Sequence, residues 1–239
     1  ALYLADWIDG WGTKNYGRVW KLQEENSDLK AIQADTEQKL KVDFKKLKGL
    51  ELKSILYHDD MRVRRKAQFE LAKRGNEGLE IFEEVIQDRS NQLARIHGIV
   101  GISQMARLKD LNYADALVPL LKDQDPEIKA QAAKWLGDIR YDHAESELIN
   151  NLSDTNKRVQ FFAAEALGRT ASEKSFEPLI SLLQSNNDED AYLRHAATLA
   201  LARIGKSNSL SALASHPSKA VRLGAVIALR RMESPELAK

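Results

Sequence analysis

The sequence contains no cysteine and is poor in several other residue types. The 239 residues include five Pro and three Met, and aromatic residues make up 7%. The lack of Cys excludes disulfides, thiolate catalysis, Cys-ligated zinc and covalently attached haem within this chain. No sign of charge dominates, since 36 Lys and Arg stand against 35 Asp and Glu. The composition therefore does not indicate a dedicated nucleic-acid-binding protein. No apolar run approaches the length of a membrane span.

The composition changes near residue 23. Three of the four Trp lie in the first 20 residues. Residues 2–7 and 17–22 are short, aromatic and alternating, which is typical of strands, and residues 8–16 between them carry turn residues. We therefore predict a β-hairpin over residues 1–22. Because an isolated hairpin is marginally stable, it must pack on helices or belong to a larger sheet. Residues 23–43 are predicted to be a linker that becomes helical, with Ser27 as the helix cap.

A ten-residue pattern recurs six times along the rest of the chain. Each copy has an apolar residue, then a mostly basic residue, then a small residue and another apolar residue at positions four and eight. The copies start 28 to 34 residues apart, at Val63, Ala94, Ile128, Val159, Leu193 and Val221. Positions zero, four and eight lie on one face of a helix. The small central residue lets a neighbouring helix approach closely.

A second amphipathic stretch precedes each copy, and the turn between them carries capping signals. In Asp125-Pro126 the Asp stands at the cap and the Pro at the first helical position, which is the favoured order. One such helix pair cannot bury both of its faces, whereas stacked pairs can. The sequence therefore predicts an all-α superhelix of about six helix pairs over residues 44–239, preceded by the β-hairpin.

This pattern resembles the HEAT-repeat family in its short form of about 30 residues, which bilin lyases also use. The resemblance covers roughly residues 44–232. It implies an α-solenoid whose second helices line the concave face. It does not fix the function, because such arrays serve many purposes.

A finer resemblance concerns the beginning of the chain. Residues 2–11 and 17–22 are similar to the closing hairpin of a sugar-dehydrogenase-like β-propeller. Residues 58–75 are similar to the first HEAT repeat that follows this propeller in large exported bacterial proteins, often described as membrane-bound dehydrogenases or haem-binding proteins. These continue into a c-type cytochrome module. The resemblance implies that this chain is the middle of such a protein and lies outside the cytoplasm. With most of the propeller and every Cys missing, it assigns no cofactor to any residue.

The second position of the pattern forms a basic ladder that Gln160 interrupts. Its members are Arg64, Arg95, Lys129, Arg194 and Arg222. These residues could form an anion-binding stripe. We favour a structural ladder in which each cation binds the Asp-rich turn of its own or the adjacent repeat, because those turns recur in phase with it.

Apolar residues at other positions of the second helices form a candidate partner groove. They are Phe69, Ile96, Phe161, Phe162, Leu199, Leu223 and Ile227. If exposed, they would line a docking groove; alternatively, neighbouring pairs bury them. Lys73, Arg169, Arg203 and Arg231 would rim such a groove with positive charge. Trp135 stands at a position of the pattern that should be half-buried, and it is predicted to belong to the core. None of the five His stands in a His-Glu pair, so we expect no metal site.

The expected function is that of a non-catalytic scaffold that contacts other domains or a protein partner, without a cofactor. The chain shows no credible nucleophile–base pair, phosphate loop or metal-binding set. Two alternatives remain at this point. One is a small-molecule enzyme of the bilin-lyase type, and the other is a nucleic-acid-binding HEAT protein, since the last repeat is basic.

Overall fold

The computed structural model describes residues 2–6, 17–22 and 26–238. The chain forms two compact units, residues 1–43 and residues 44–239. The second unit contains all six copies of the repeated pattern. None of the described helices is both long and apolar enough to cross a membrane.

The first unit contains the expected hairpin and one helix. Strands β1 (Leu2–Asp6) and β2 (Arg18–Leu22) pair antiparallel, with Leu4 opposite Trp20. All ten strand residues are exposed, including the apolar side chains. The predicted turn over residues 8–16 lies outside the described residues. Helix α1 spans Ser27–Lys41. The helix therefore begins at Ser27 itself, one residue before the predicted start at Asp28.

The second unit is a series of six helix pairs in the described range 44–238, numbered 1 to 6 in chain order. The second helices of the six pairs are, in chain order, α3 (Met61–Lys73), α5 (Gln92–Leu108), α6 (Pro126–Asp138), α8 (Lys157–Thr170), α10 (Ala191–Ile204) and α12 (Lys219–Arg231). The first helices are α2 (Gly49–Ile55), α4 (Asn76–Gln87), the 3₁₀ segment Leu111–Lys122, α7 (Glu145–Asn151), α9 (Phe176–Asn186) and α11 (Ser207–Ala212). Short 3₁₀ turns span Phe44–Lys46, Asp142–Ala144, Glu173–Ser175, Leu213–Ser215 and Pro235–Ala238.

The core consists of the apolar positions of the repeated pattern. Val63 and Leu71 of the first copy are fully buried, and the equivalent residues of the other five copies are at most 4% exposed. The small residues at position four are buried as well. The helical period of the pattern therefore places one continuous apolar face on each second helix, against its first helix and its neighbours.

Two glycines mark close contacts between the second helices of successive pairs. A Cβ atom on Gly137 would lie 2.6 Å from Cα of Ala166, and one on Gly168 would lie 2.7 Å from Cα of Ala200. The backbone of α6 therefore touches α8, and that of α8 touches α10. Glycine is required here because any side chain would push the helices apart.

In each pair, a side chain of the turn between the two helices caps the second helix. Asp60, Asp125 and Asp190 accept hydrogen bonds from backbone amides two residues further on, each at 2.8 Å. Pro126 occupies the first helical position after Asp125. In pair 4 the capping residue is Asn156. Asp154, a capping signal in the sequence, instead accepts a hydrogen bond from the backbone amide of Asn156.

The first helix of pair 3 is a 3₁₀ helix that contains Pro119. Proline has no backbone N–H and its ring clashes with the preceding turn of an α-helix. Leu117, Leu120 and Leu121 nevertheless stay buried. The segment keeps its apolar face towards the core in the tighter helical form.

Candidate binding surfaces

The ladder residue of pair 2 connects three elements. Arg95 donates from Nε to the carbonyl oxygen of Ile86, at the end of α4, over 2.6 Å. Its Nη1 and Nη2 donate to the two carboxylate oxygens of Asp123, in the turn before α6. The guanidinium group thus bridges the end of its own first helix and the end of the next one. In pair 3, Lys129 makes a similar ion pair with Asp154 of the next turn.

Within the described part of the chain, the side chains of two other ladder residues donate hydrogen bonds only to backbone carbonyl oxygens. Nη1 of Arg64 donates to the carbonyl oxygens of His58 and Asp59 at 2.6 and 2.7 Å. Nη1 of Arg222 donates in the same way to His216 and Pro217. Arg194 forms an ion pair with Asp188 in the turn before its own helix. Each cation of the ladder therefore closes a turn of the array.

Gln160 occupies the ladder position of pair 4, and it is 9% exposed. Its Oε1 is buried and has no hydrogen-bond partner among the described residues. It lines a cleft of ≈590 Å³ between α7 and α9. We call this the first-helix cleft; its other lining residues are Ile149, Asn150, Leu152, Ser153, Pro178, Ser181, Leu182 and Ser185.

A second depression of ≈470 Å³ lies across the second helices of pairs 1 to 3. We call it the second-helix cleft. Its lining residues are Met61, Arg65, Gln68, Phe69, Ile96, His97, Val100, Gln104, Arg107 and Trp135. The side chain of Phe69 is 44% exposed and that of Met61 is 55% exposed. The cleft therefore offers apolar surface to a ligand.

The polar groups of the second-helix cleft form a short chain of contacts. Nδ1 of His97 lies 2.7 Å from Oε1 of Gln68, and Nε2 of Gln68 lies 3.5 Å from Oε1 of Gln104. Burial and the nearby charges of Arg64 and Arg65 lower the pKa of His97 to about 4. His97 is therefore neutral at pH 7. Positive charge in the cleft comes from Arg65 and Arg107, neither of which has an ion-pair partner in the described part of the chain.

The structure brings only some residues of the predicted groove together. Phe69 and Ile96 share the second-helix cleft. Phe161 lines a separate cleft of ≈330 Å³ together with Arg158 and Tyr192. Leu199, Leu223 and Ile227 are partly buried further along the array, outside these clefts. The groove is thus divided into separate depressions.

Phe161 and Phe162 contact each other edge to face, with ring centroids 5.1 Å apart. The guanidinium carbon of Arg158 lies 4.9 Å from the ring centroid of Phe162, and Nε of Arg158 donates to Glu127 at 2.8 Å. These aromatic side chains are therefore partly covered by a cation that is already paired. They offer less free surface than Phe69.

The residues expected to rim the groove are partly neutralised. Arg169 forms an ion pair with Asp138 at 3.2 Å, and Nζ of Lys73 lies 3.9 Å from Glu70. Arg231 contacts the ring of His195, and Arg203 is exposed. Within residues 2–6, 17–22 and 26–238, no group of three or more His, Asp and Glu side chains is arranged to hold a metal ion.

Trp135 has the partial burial that its position in the pattern predicts, but the expectation that it belongs to the core is wrong. Its side chain is half-buried and lines the second-helix cleft. Its Nε1 donates to Oε1 of Gln131, and Nζ of Lys134 lies 3.6 Å from the ring centroid. The sequence pattern also did not single out Arg65, Gln68 or Gln104. The only available signal was their place beside Phe69 and Ile96 on the same helices.

Comparison with known proteins supports the fold. A sequence model described as HEAT repeats matches residues 114–202. The X-ray structure of YibA from Escherichia coli is 16% identical, with a TM-score of 0.54 over 90% of this chain and 79% of that one. The complex of CpcE and CpcF of phycocyanin lyase from a Nostoc species is also 16% identical, with a TM-score of 0.52 over 78% and 77%. No curated protein matches the chain. The chain folds as an all-α repeat solenoid with a two-stranded hairpin at its beginning, and residues 114–202 match HEAT repeats.

Proposed function

We propose that the protein is a non-catalytic scaffold whose second-helix cleft binds an extended protein segment with acidic and apolar side chains. The observation that carries this proposal is the composition of the cleft. Exposed apolar side chains lie beside Arg65 and Arg107, and no carboxylate is among the described residues that line the cleft. An acidic segment would supply the missing counter-charge, since arginine binds carboxylates in a two-pronged geometry.

A partly exposed amide of the cleft suits an extended backbone. Each Gln side chain carries both a donor and an acceptor, so it can pair with a peptide N–H and C=O. Gln104 is the amide available for this role, because it is partly exposed. Gln68 is buried and is already bound to His97 and Gln104, so it holds Gln104 in place. Phe69, Met61 and Trp135 provide the apolar and aromatic contacts that anchor protein interfaces.

A peptide titration tests the proposal. The probes are two fluorescent eight-residue peptides, one alternating Glu with Phe and the other alternating Lys with Phe, measured by fluorescence anisotropy. We expect the acidic peptide to bind and the basic one not to bind. Changing Arg65 and Arg107 to Glu should weaken binding by about tenfold or more, because two charge-assisted contacts become repulsive.

Arg230 provides the matched control, because it is exposed on α12, far along the array. Arg230→Glu changes the net charge in the same direction, by half as much as the double variant, and should leave the affinity unchanged. Equal binding of both peptides, no binding of the acidic peptide, or an equal loss in the Arg230 variant would overturn the proposal.

A second part of the proposal concerns the larger protein in which the array would lie. We infer that the array joins a β-propeller to a cytochrome module in an exported protein. The exposed hairpin supports this, because Leu4, Val19 and Trp20 are 47–73% exposed and such apolar strands are suited to a larger sheet. The sequence of the intact gene tests it. A propeller upstream and a Cys-x-x-Cys-His motif downstream are expected, and their absence would refute the link.

A further inference from the structure

The first-helix cleft lies where the ladder changes from a cation to a neutral side chain. In pair 2, Arg95 bridges the end of α4 and the end of the next first helix, at Asp123. Gln160 lies between the corresponding elements of pairs 4 and 5, because the cleft that it lines is bounded by the end of α7 and by α9. A glutamine is too short and has too few donors to bridge both elements. The cleft therefore marks the place of a ladder guanidinium.

The groups around this cleft are suited to accept hydrogen bonds. Oε1 of Gln160 is buried without a partner among the described residues, and the side chains of Asn150, Ser153 and Ser181 line the same space.

A buried guanidinium in this array does not need a carboxylate. Arg64 is 6% exposed, and its guanidinium donates to two backbone carbonyl oxygens. Arg222, which is only partly buried, is bound in the same way by the carbonyl oxygens of His216 and Pro217. The absence of a charged side chain among the described residues that line the first-helix cleft is therefore compatible with a guanidinium ligand.

We propose that the first-helix cleft binds an arginine side chain of a partner protein, which completes the ladder at Gln160 from outside the chain. This site is separate from the second-helix cleft, and it selects the opposite charge. The two proposals can therefore fail independently.

The test uses N-acetyl-arginine amide as the probe in an NMR titration of the isotope-labelled protein. N-acetyl-citrulline amide has nearly the same shape without the charge and is the matched control ligand. We expect saturable shifts at Ser153, Gln160, Ser181 and Ser185 with the arginine compound, and at least tenfold weaker binding of the citrulline compound. Equal effects of both compounds would indicate a site for neutral polar ligands and overturn the proposal, as would shifts that do not saturate.

Two variants place the probe in the cleft. Gln160→Arg supplies the cation from within the chain and should abolish binding while the helical circular dichroism is retained. Ser181→Trp fills the cleft from an exposed position on α9, so it blocks the site without changing the buried residue and serves if the first variant does not fold. Persistent shifts at Ser153 and Ser185 in a folded variant would refute the assignment.

Discussion

Arg95 and Asp123 form a buried ion pair that fastens α5 to the turn before α6. The side chains are 3% and 8% exposed, and the two nitrogen–oxygen distances are 3.2 and 2.5 Å. Burial by itself would raise the pKa of Asp123, but hydrogen bonds from Arg95 and from the amide of Asp125 keep it below its ordinary value. The carboxylate is therefore charged at neutral pH and depends on the guanidinium group.

Replacing Arg95 with Met should destabilise the protein by about 3–5 kcal/mol, because Asp123 would remain buried without a counter-charge. The double variant Arg95→Met with Asp123→Leu should recover most of this loss, since the pair is then replaced by apolar groups. Urea denaturation at pH 7 measures both effects. Lys174→Met is the control: Lys174 is 79% exposed in its pair with Glu145, and the solvent screens such a pair, so only a small loss is expected. Equal losses in the Arg95 and Lys174 variants would contradict the prediction.

Gly137→Ala should destabilise the array, although alanine favours an isolated helix by roughly 0.5–1 kcal/mol. The new Cβ would lie 2.6 Å from Cα of Ala166, so α6 and α8 must move apart. We expect a net loss of about 1–3 kcal/mol, typical of overpacking. Thermal and urea unfolding measure it.

Gly49→Ala is the matched glycine control. There the nearest atoms belong to the side chains of Glu77 and Ile81, which can turn away. Its cost should therefore be clearly smaller than that of Gly137→Ala. A Gly137 variant as stable as the Gly49 variant would mean that the close contact between α6 and α8 contributes little.

The core was predictable because its signal is periodic. Val63 and Leu71 repeat in six copies, and a helix places such residues on one face whatever surrounds it. Trp135 follows a different rule. The equivalent positions of the next two pairs are Ala166 and Ala200, which pack against Gly137 and Gly168. An indole cannot enter such a close contact, so its side chain lies at the cleft. That outcome depends on the distance between helices, which no periodicity encodes.

The clefts were only partly predictable for a similar reason. The sequence indicates which residues are on the second helices, and it singled out Phe69 and Ile96. Their separation from Leu223 and Ile227 depends on how successive pairs stack. The interruption of the ladder at Gln160 was visible in the sequence, but the cleft beside it is a property of α7 and α9 together.

His97 should make the stability of the array depend on pH below neutrality. Its pKa in the folded protein is about 4, whereas an unfolded chain has a value of about 6.5. The unfolded state therefore binds more protons between these values. The contribution of neutral His97 to the free energy of unfolding is fully present above about pH 6.5, and it is lost as the pH falls towards 4.

The variant His97→Gln tests this origin, because a glutamine side chain at this position is uncharged at every pH and can still bond to Gln68. We expect His97→Gln to lose less stability than the unchanged protein between pH 7.5 and pH 5.0, measured by urea denaturation at both values. The carboxylates that titrate at lower pH are the same in both proteins, so they cancel in the comparison. His195→Gln removes an exposed histidine of α10 and should behave like the unchanged protein. If His97→Gln and the unchanged protein lost equal stability, the burial of His97 would not be the source of the acid sensitivity.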